Sequence, residues 1–63
     1  MKFILSFRTD NDAFHNNENR EIARILRHLA DRVENSNISA YHSDVKDING
    51  NIVGTYVLKE TTP

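Results

Sequence analysis

The chain has 63 residues, 9 acidic and 8 basic side chains, a net charge of -1 and no cysteine, which leaves room for one domain and not a second. A duplex binder carries a clear basic excess and a polyanionic mimic of DNA a large acidic one, and neither imbalance is present. Without cysteine, disulfides and thiolate zinc sites are excluded, so association with another chain is the inexpensive support left for so small a core.

The N-terminus predicts a strand over about 2–9. Phe3, Leu5 and Phe7 alternate with Lys2, Ser6 and Arg8, the pattern of a half-buried strand, and Ile4 is the apolar exception on the polar side. The run lacks a signal peptide's long apolar segment and small-residue cleavage site. No run reaches transmembrane length, so no membrane is expected as a partner.

In Thr9-Asp10-Asn11-Asp12-Ala13-Phe14-His15 the acids alternate as in a calcium loop, but His15 stands where such a loop needs glycine. The stretch reads instead as a connection in which Asp10 caps a short turn and Phe14 packs under the helix.

That helix is predicted over about 18–34. Ile22, Ile25, Leu26, Leu29, Ala30 and Val33 form one apolar stripe at helical spacing. Asn16 or Asn17 is positioned to cap its start, Glu18 and Glu21 favour the positive end of its dipole, and Asn35-Ser36-Asn37 ends it. Arg20, Arg24 and Arg27 project from the opposite side. They are candidates for contact with an anionic partner, weighed against a solvated face with an Arg27–Asp31 pair.

Two further strands, over about 39–47 and about 51–59, flank Asp47-Ile48-Asn49-Gly50, which suits a type I turn followed by a left-handed glycine. Residues 60–63 read as a frayed tail. In this register Val45 faces Val53 and His42 faces Tyr56, whereas a two-residue turn would shift every pairing. The third strand is the most apolar and belongs in the middle. The expected fold is α+β: one β-α-β-β domain whose three-stranded antiparallel sheet has the order 1-3-2, with one helix on one face.

A single helix covers only one side of that sheet. Phe3, Leu5, Phe7, Val45, Val53 and Val57 are expected beneath it. Ile4, His42, Ile52, Tyr56 and Leu58 are expected on the open side, as the interface of a homodimer or a partner complex. His15, His28 and His42 show no ligand spacing, and no nucleophile with an adjacent base is visible. No metal, cofactor or catalytic residue is expected. Asn37-Ile38-Ser39 matches a glycosylation acceptor, read as a chance match in the absence of a secretion signal.

The segments Lys2-Phe3-Ile4-Leu5, Thr9-Asp10-Asn11-Asp12-Ala13-Phe14 and Glu21-Ile22-Ala23-Arg24-Ile25-Leu26-Arg27-His28-Leu29-Ala30-Asp31-Arg32-Val33-Glu34 resemble small proteins encoded by phages and prophages. Asp47-Ile48-Asn49-Gly50-Asn51-Ile52-Val53-Gly54 is similar to their closing hairpin, so the resemblance covers nearly all of the chain. It implies a phage-type accessory protein in a bacterial cytoplasm, where proteins this small often block a host factor. It carries no settled activity and no functional residue. The expected function is non-enzymatic binding of a host protein as a homodimer, with a defence system as one target. One alternative is an oligomer that sequesters a nucleotide-like anion between arginines and Tyr41 or Tyr56. A nucleic-acid-binding module is the other, against the charge balance.

Overall fold

The computed structural model describes residues 1–36 and 40–61. The glycosylation match at 37–39, the outermost residue of the second expected strand and the end of the tail lie outside them. The chain is a β-α-β-β domain built from β1 (Lys2–Phe7), α1 (Glu18–Glu34), β2 (Tyr41–Lys46) and β3 (Ile52–Lys59), with a short 3-10 turn at Asp12–Phe14. The sheet has the order β1-β3-β2, and both pairings are antiparallel. Burial puts β3 in the centre: Tyr56, buried on its helix side, is flanked along the strand by the half-buried Val57 and Leu58, and only a central strand is covered from both edges.

The core lies between the helix and one face of the sheet. Phe14, Ile25, Leu29, Val45 and Tyr56 are buried there, with Leu5, Phe7, Ile22, Val33 and Val53 packed around them. Phe14 reaches the core through the 3-10 turn, as the sequence predicts, and stacks on Phe7, ring centroids 6.3 Å apart. Tyr56 stands at the centre of an aromatic row, 6.1 Å from Phe3 and 5.8 Å from Tyr41.

The hairpin departs from its expected register at one residue. The turn itself forms as predicted. Gly50 N–H donates to Asp47 O at 3.0 Å and Asp47 N–H to Asn51 O at 2.9 Å, Gly50 has φ +85°, and Lys46 lies opposite Ile52. A β-bulge then inserts Val53, so that Val45 lies opposite Gly54, Ser43 opposite Tyr56 and His42 opposite Val57. The extra residue reverses the facing of everything after it. Tyr56 and Leu58 therefore lie on the helix side, and Val57 takes the open side with Ile4 and His42.

Gly54 directly follows the bulged residue and lies close against β1. A Cβ built there would come within 2.0 Å of Ser6 O and 2.5 Å of Phe7 Cα, so β1 crosses β3 at a distance that only glycine permits. An isolated glycine inside a strand pattern is the signal from which the bulge could have been anticipated.

The caps also differ from expectation. Neither Asn17 at the start of α1 nor Asn11 at the start of the 3-10 turn makes a side-chain cap bond. Asp10 instead pairs with Arg8 at 2.8 Å in solvent. The helix start is held by Glu21 N–H donating to Asn17 O at 3.0 Å and by Thr9 Oγ1 donating to Glu18 Oε2 at 2.6 Å. At the other end the Asn35 side chain donates to Asp31 O at 2.9 Å, satisfying one of the helix's last carbonyls.

Candidate functional site

Three places concentrate chemistry, and the first is a buried polar clasp. Asp47 closes β2 and turns its carboxylate under the hairpin loop. Oδ1 accepts from Asn49 N–H at 3.0 Å and Asn51 N–H at 2.9 Å, and Oδ2 from Asn11 Nδ2 at 2.8 Å and Asn51 Nδ2 at 3.4 Å. Glu21, in the first turn of α1, accepts Ile48 N–H on Oε2 at 2.9 Å. Arg24 grips the same carboxylate with Nε to Oε1 at 2.7 Å and Nη2 to Oε2 at 3.0 Å. Glu21 and Asp47 are only 5% and 4% exposed, so each depends on these donors for the solvation that it has lost.

Hydrogen bonds from Arg24 hold the Glu21 carboxyl below its ordinary range; burial opposes them and the Ile48 N–H assists. Burial pushes Asp47 up, but the donors from Asn51, Asn11 and Asn49 outweigh it and the carboxyl also lies below its ordinary value. Both groups are thus ionised at neutral pH and saturated with donors. A general acid or base for neutral conditions needs a pKa near the working pH and a free lone pair or proton. The cluster is a structural clasp that fastens the helix to the hairpin and to the loop before the helix.

The clasp also dissolves the expected arginine stripe. Arg24 is committed to Glu21, while Arg20 and Arg27 remain exposed. Among the described residues the ion pairs are Arg8–Asp10 and Arg24–Glu21, and the expected Arg27–Asp31 pair is not one of them.

The second place is Arg32, in the last turn of α1, which the sequence reading did not single out. Its guanidinium lies over the Tyr56 ring, 5.6 Å from the centroid. It donates to Ser43 Oγ at 2.9 Å and to Asp44 O at a long 3.4 Å. Together with Tyr41, His42, Ser43 and Tyr56 it lines a pocket of about 290 Å³. The tyrosines expected near an arginine are there, but the arginine is Arg32 and not one of the expected trio. A helical residue eleven positions from Ser43 meets it only through the tertiary fold.

The third place is an apolar groove of about 330 Å³ between α1 and β1, lined by Phe3, Leu5, Leu26, Leu29, Ala30 and Val33, with Glu34 at its end. Leu26 and Phe3 are each 46% exposed, although both belong to the apolar pattern that predicts burial. The opposite flank of α1 is polar: Arg24, His28 and Arg32 lean toward the β2 side of the sheet.

The open sheet face holds less apolar surface than the sequence predicts. Ile4 and Ile52 are exposed there and His42 is exposed beside them. The bulge replaces Tyr56 and Leu58 by the half-buried Val57. Lys2, Ser6, Asp44, Thr55 and Lys59 share the face by register and break it up. Among the described residues no three histidine, aspartate or glutamate side chains converge as metal ligands, and no described helix is long and apolar enough to cross a membrane.

In comparisons with known proteins, no family model matches the chain, and neither a curated protein nor a solved structure is found to be similar to it.

Proposed function

We propose that this protein works by binding another protein chain through the groove between β1 and α1, and that it is not an enzyme. The observation that supports this reading most is the exposure of Leu26 and Phe3 in a concave apolar surface, because large side chains in a pocket that can be dried supply most of an interface's binding energy. The groove takes over the role expected of the open sheet face. In the setting implied by the resemblance to phage-encoded proteins, the chain is an accessory protein of a bacterial cytoplasm that occupies a host protein as a homodimer, with a defence system as a target class. Affinity capture from host lysate with the wild type and Leu26→Asp tests the reading. A host protein retained by the wild type and lost with the variant supports it, and equal recovery by both overturns it.

A second reading has its own observation. Arg32, Tyr41 and Tyr56 line one pocket, a combination suited to an anionic aromatic ligand. A thermal-shift screen against nucleotides and cyclic nucleotides that stabilises the wild type but not Arg32→Ala would favour it. No shift with any of them removes its motive.

A further inference from the structure

We infer that the free edge of β1 pairs antiparallel with the same edge of a second copy, joining two three-stranded sheets into one, with both helices on the same side. The inference rests on the reading that the β1–α1 groove binds protein, and it names the occupant. Three observations carry it.

The first is the hydrogen-bonding parity of β1. Arg8 N–H donates to Val53 O at 2.9 Å, extending the pairing in which Lys2, Ile4 and Ser6 lie opposite Lys59, Val57 and Thr55. Directly bonded pairs alternate along an antiparallel ladder. Lys2, Ile4 and Ser6 therefore spend their backbone groups on β3, and the N–H and C=O groups of Phe3, Leu5 and Phe7 point outward.

The second is the difference between the two edges of the sheet. At the β2 edge Arg32 reaches over to Ser43 Oγ and Asp44 O, and the strand carries His42, Asp44 and Lys46. At the β1 edge the neighbouring helix residues are Leu26, Ala30 and Val33. An unguarded edge beside apolar side chains is a template for strand addition.

The third is the fit of this edge to its own copy: of the two registers that overlap most of β1, charge favours one. Residues with outward groups must meet one another, so Phe3, Leu5 and Phe7 pair among themselves. A twofold axis at Leu5 would set Lys2 against Arg8 of the second copy, twice. An axis at Ile4 sets Phe3 against Leu5, Lys2 against Ser6 and Met1 against Phe7, with no like charges opposed. In that register Ile4 faces its own symmetry mate in a non-hydrogen-bonded pair, Cα atoms about 4.5 Å apart. Leu26 and Phe3 of both copies then close over one shared groove.

The chain has no cysteine, so a single introduced thiol reports the geometry. Light scattering of the wild type from micromolar to millimolar concentration should approach twice 7.3 kDa, and Leu26→Asp should remain at the monomer mass. Under mild oxidation Ile4→Cys should convert almost fully to a covalent dimer, since a separation of about 4.5 Å lies within disulfide reach. Ile52→Cys, at the hairpin end of the open face, should not. The thiol result stands whether or not Leu26→Asp folds. A wild type that stays at the monomer mass throughout overturns the second copy as occupant, and loss of a captured host protein with Leu26→Asp would still uphold the groove reading. A dimer that crosslinks through Ile52→Cys and not Ile4→Cys overturns the edge pairing in favour of the open face.

Discussion

Replacing Gly54 by alanine should unfold most of the protein. The added methyl would lie 2.0 Å from Ser6 O and 2.5 Å from Phe7 Cα, where ordinary contact begins at 3.4 Å, and both neighbours are backbone that no rotamer change can clear. Relief requires β1 to withdraw by about 0.9–1.4 Å, the difference between those separations and the 3.4 Å at which ordinary contact begins. The bond from Arg8 N–H to Val53 O, now 2.9 Å, would stretch past useful length. Overpacking of this kind costs about 1–3 kcal/mol, and each lost ladder bond adds about 1 kcal/mol. The core of a domain this small supplies about 3–5 kcal/mol in all. Gly50→Ala is the control: it meets nothing within 4 Å but sits at φ +85°, so it should cost only the left-handed penalty of about 1–2 kcal/mol. Urea unfolding followed by far-UV circular dichroism compares the two. A Gly54→Ala protein with the wild-type midpoint, or one more stable than Gly50→Ala, would refute the close crossing of β1 and β3.

Acid should loosen the clasp. The folded-state pKa values of Glu21 and Asp47 lie below their ordinary 4.5 and 3.8, so their contribution is complete above those values and is lost as pH falls through the folded ones. The urea midpoint should hold from pH 7 to about 5 and drop below about 4.5. Glu21→Gln should lower stability at pH 7 by about 1–2 kcal/mol and flatten the acid limb; an unchanged limb would mean that Glu21 does not contribute to it. Asp47→Ala should expose the amide protons of Asn49 and Asn51 to rapid hydrogen exchange, and retained protection would remove Asp47 from its place in the turn. Phe14→Ala should cost about 3–5 kcal/mol and leave little folded protein by near-UV circular dichroism.

The parts of the fold that follow from local pattern were legible in the sequence. The helix over Glu18–Glu34 follows from a stripe at helical spacing, and the turn at Asp47–Gly50 from a glycine that can take positive φ. The strand order follows from the apolar content of the third strand together with the direction of the chain. The facing of that strand was not legible from alternation alone, because one bulged residue reverses it, beside a glycine whose close neighbour, β1, lies more than forty residues away in the chain. Glu21 reads locally as a dipole-favouring acid. Its burial and its bond to Ile48 N–H exist only once the hairpin docks, and the same holds for Arg32 over Tyr56. The candidate interface moved for a related reason. Leu26 has the right spacing for burial, but the sheet ends beneath it.

On the inferred pairing of β1, Arg32 would limit how far the assembly can extend. A strand border with a cationic stopper on an outward carbonyl is a poor seat for another chain, whereas the far border carries no such group among the described residues. A brick with one adhesive side and one blocked side joins once and stops. Two adhesive sides would build a ribbon without end, so on the inferred pairing this arginine would hold the assembly to two copies as well as packing a tyrosine.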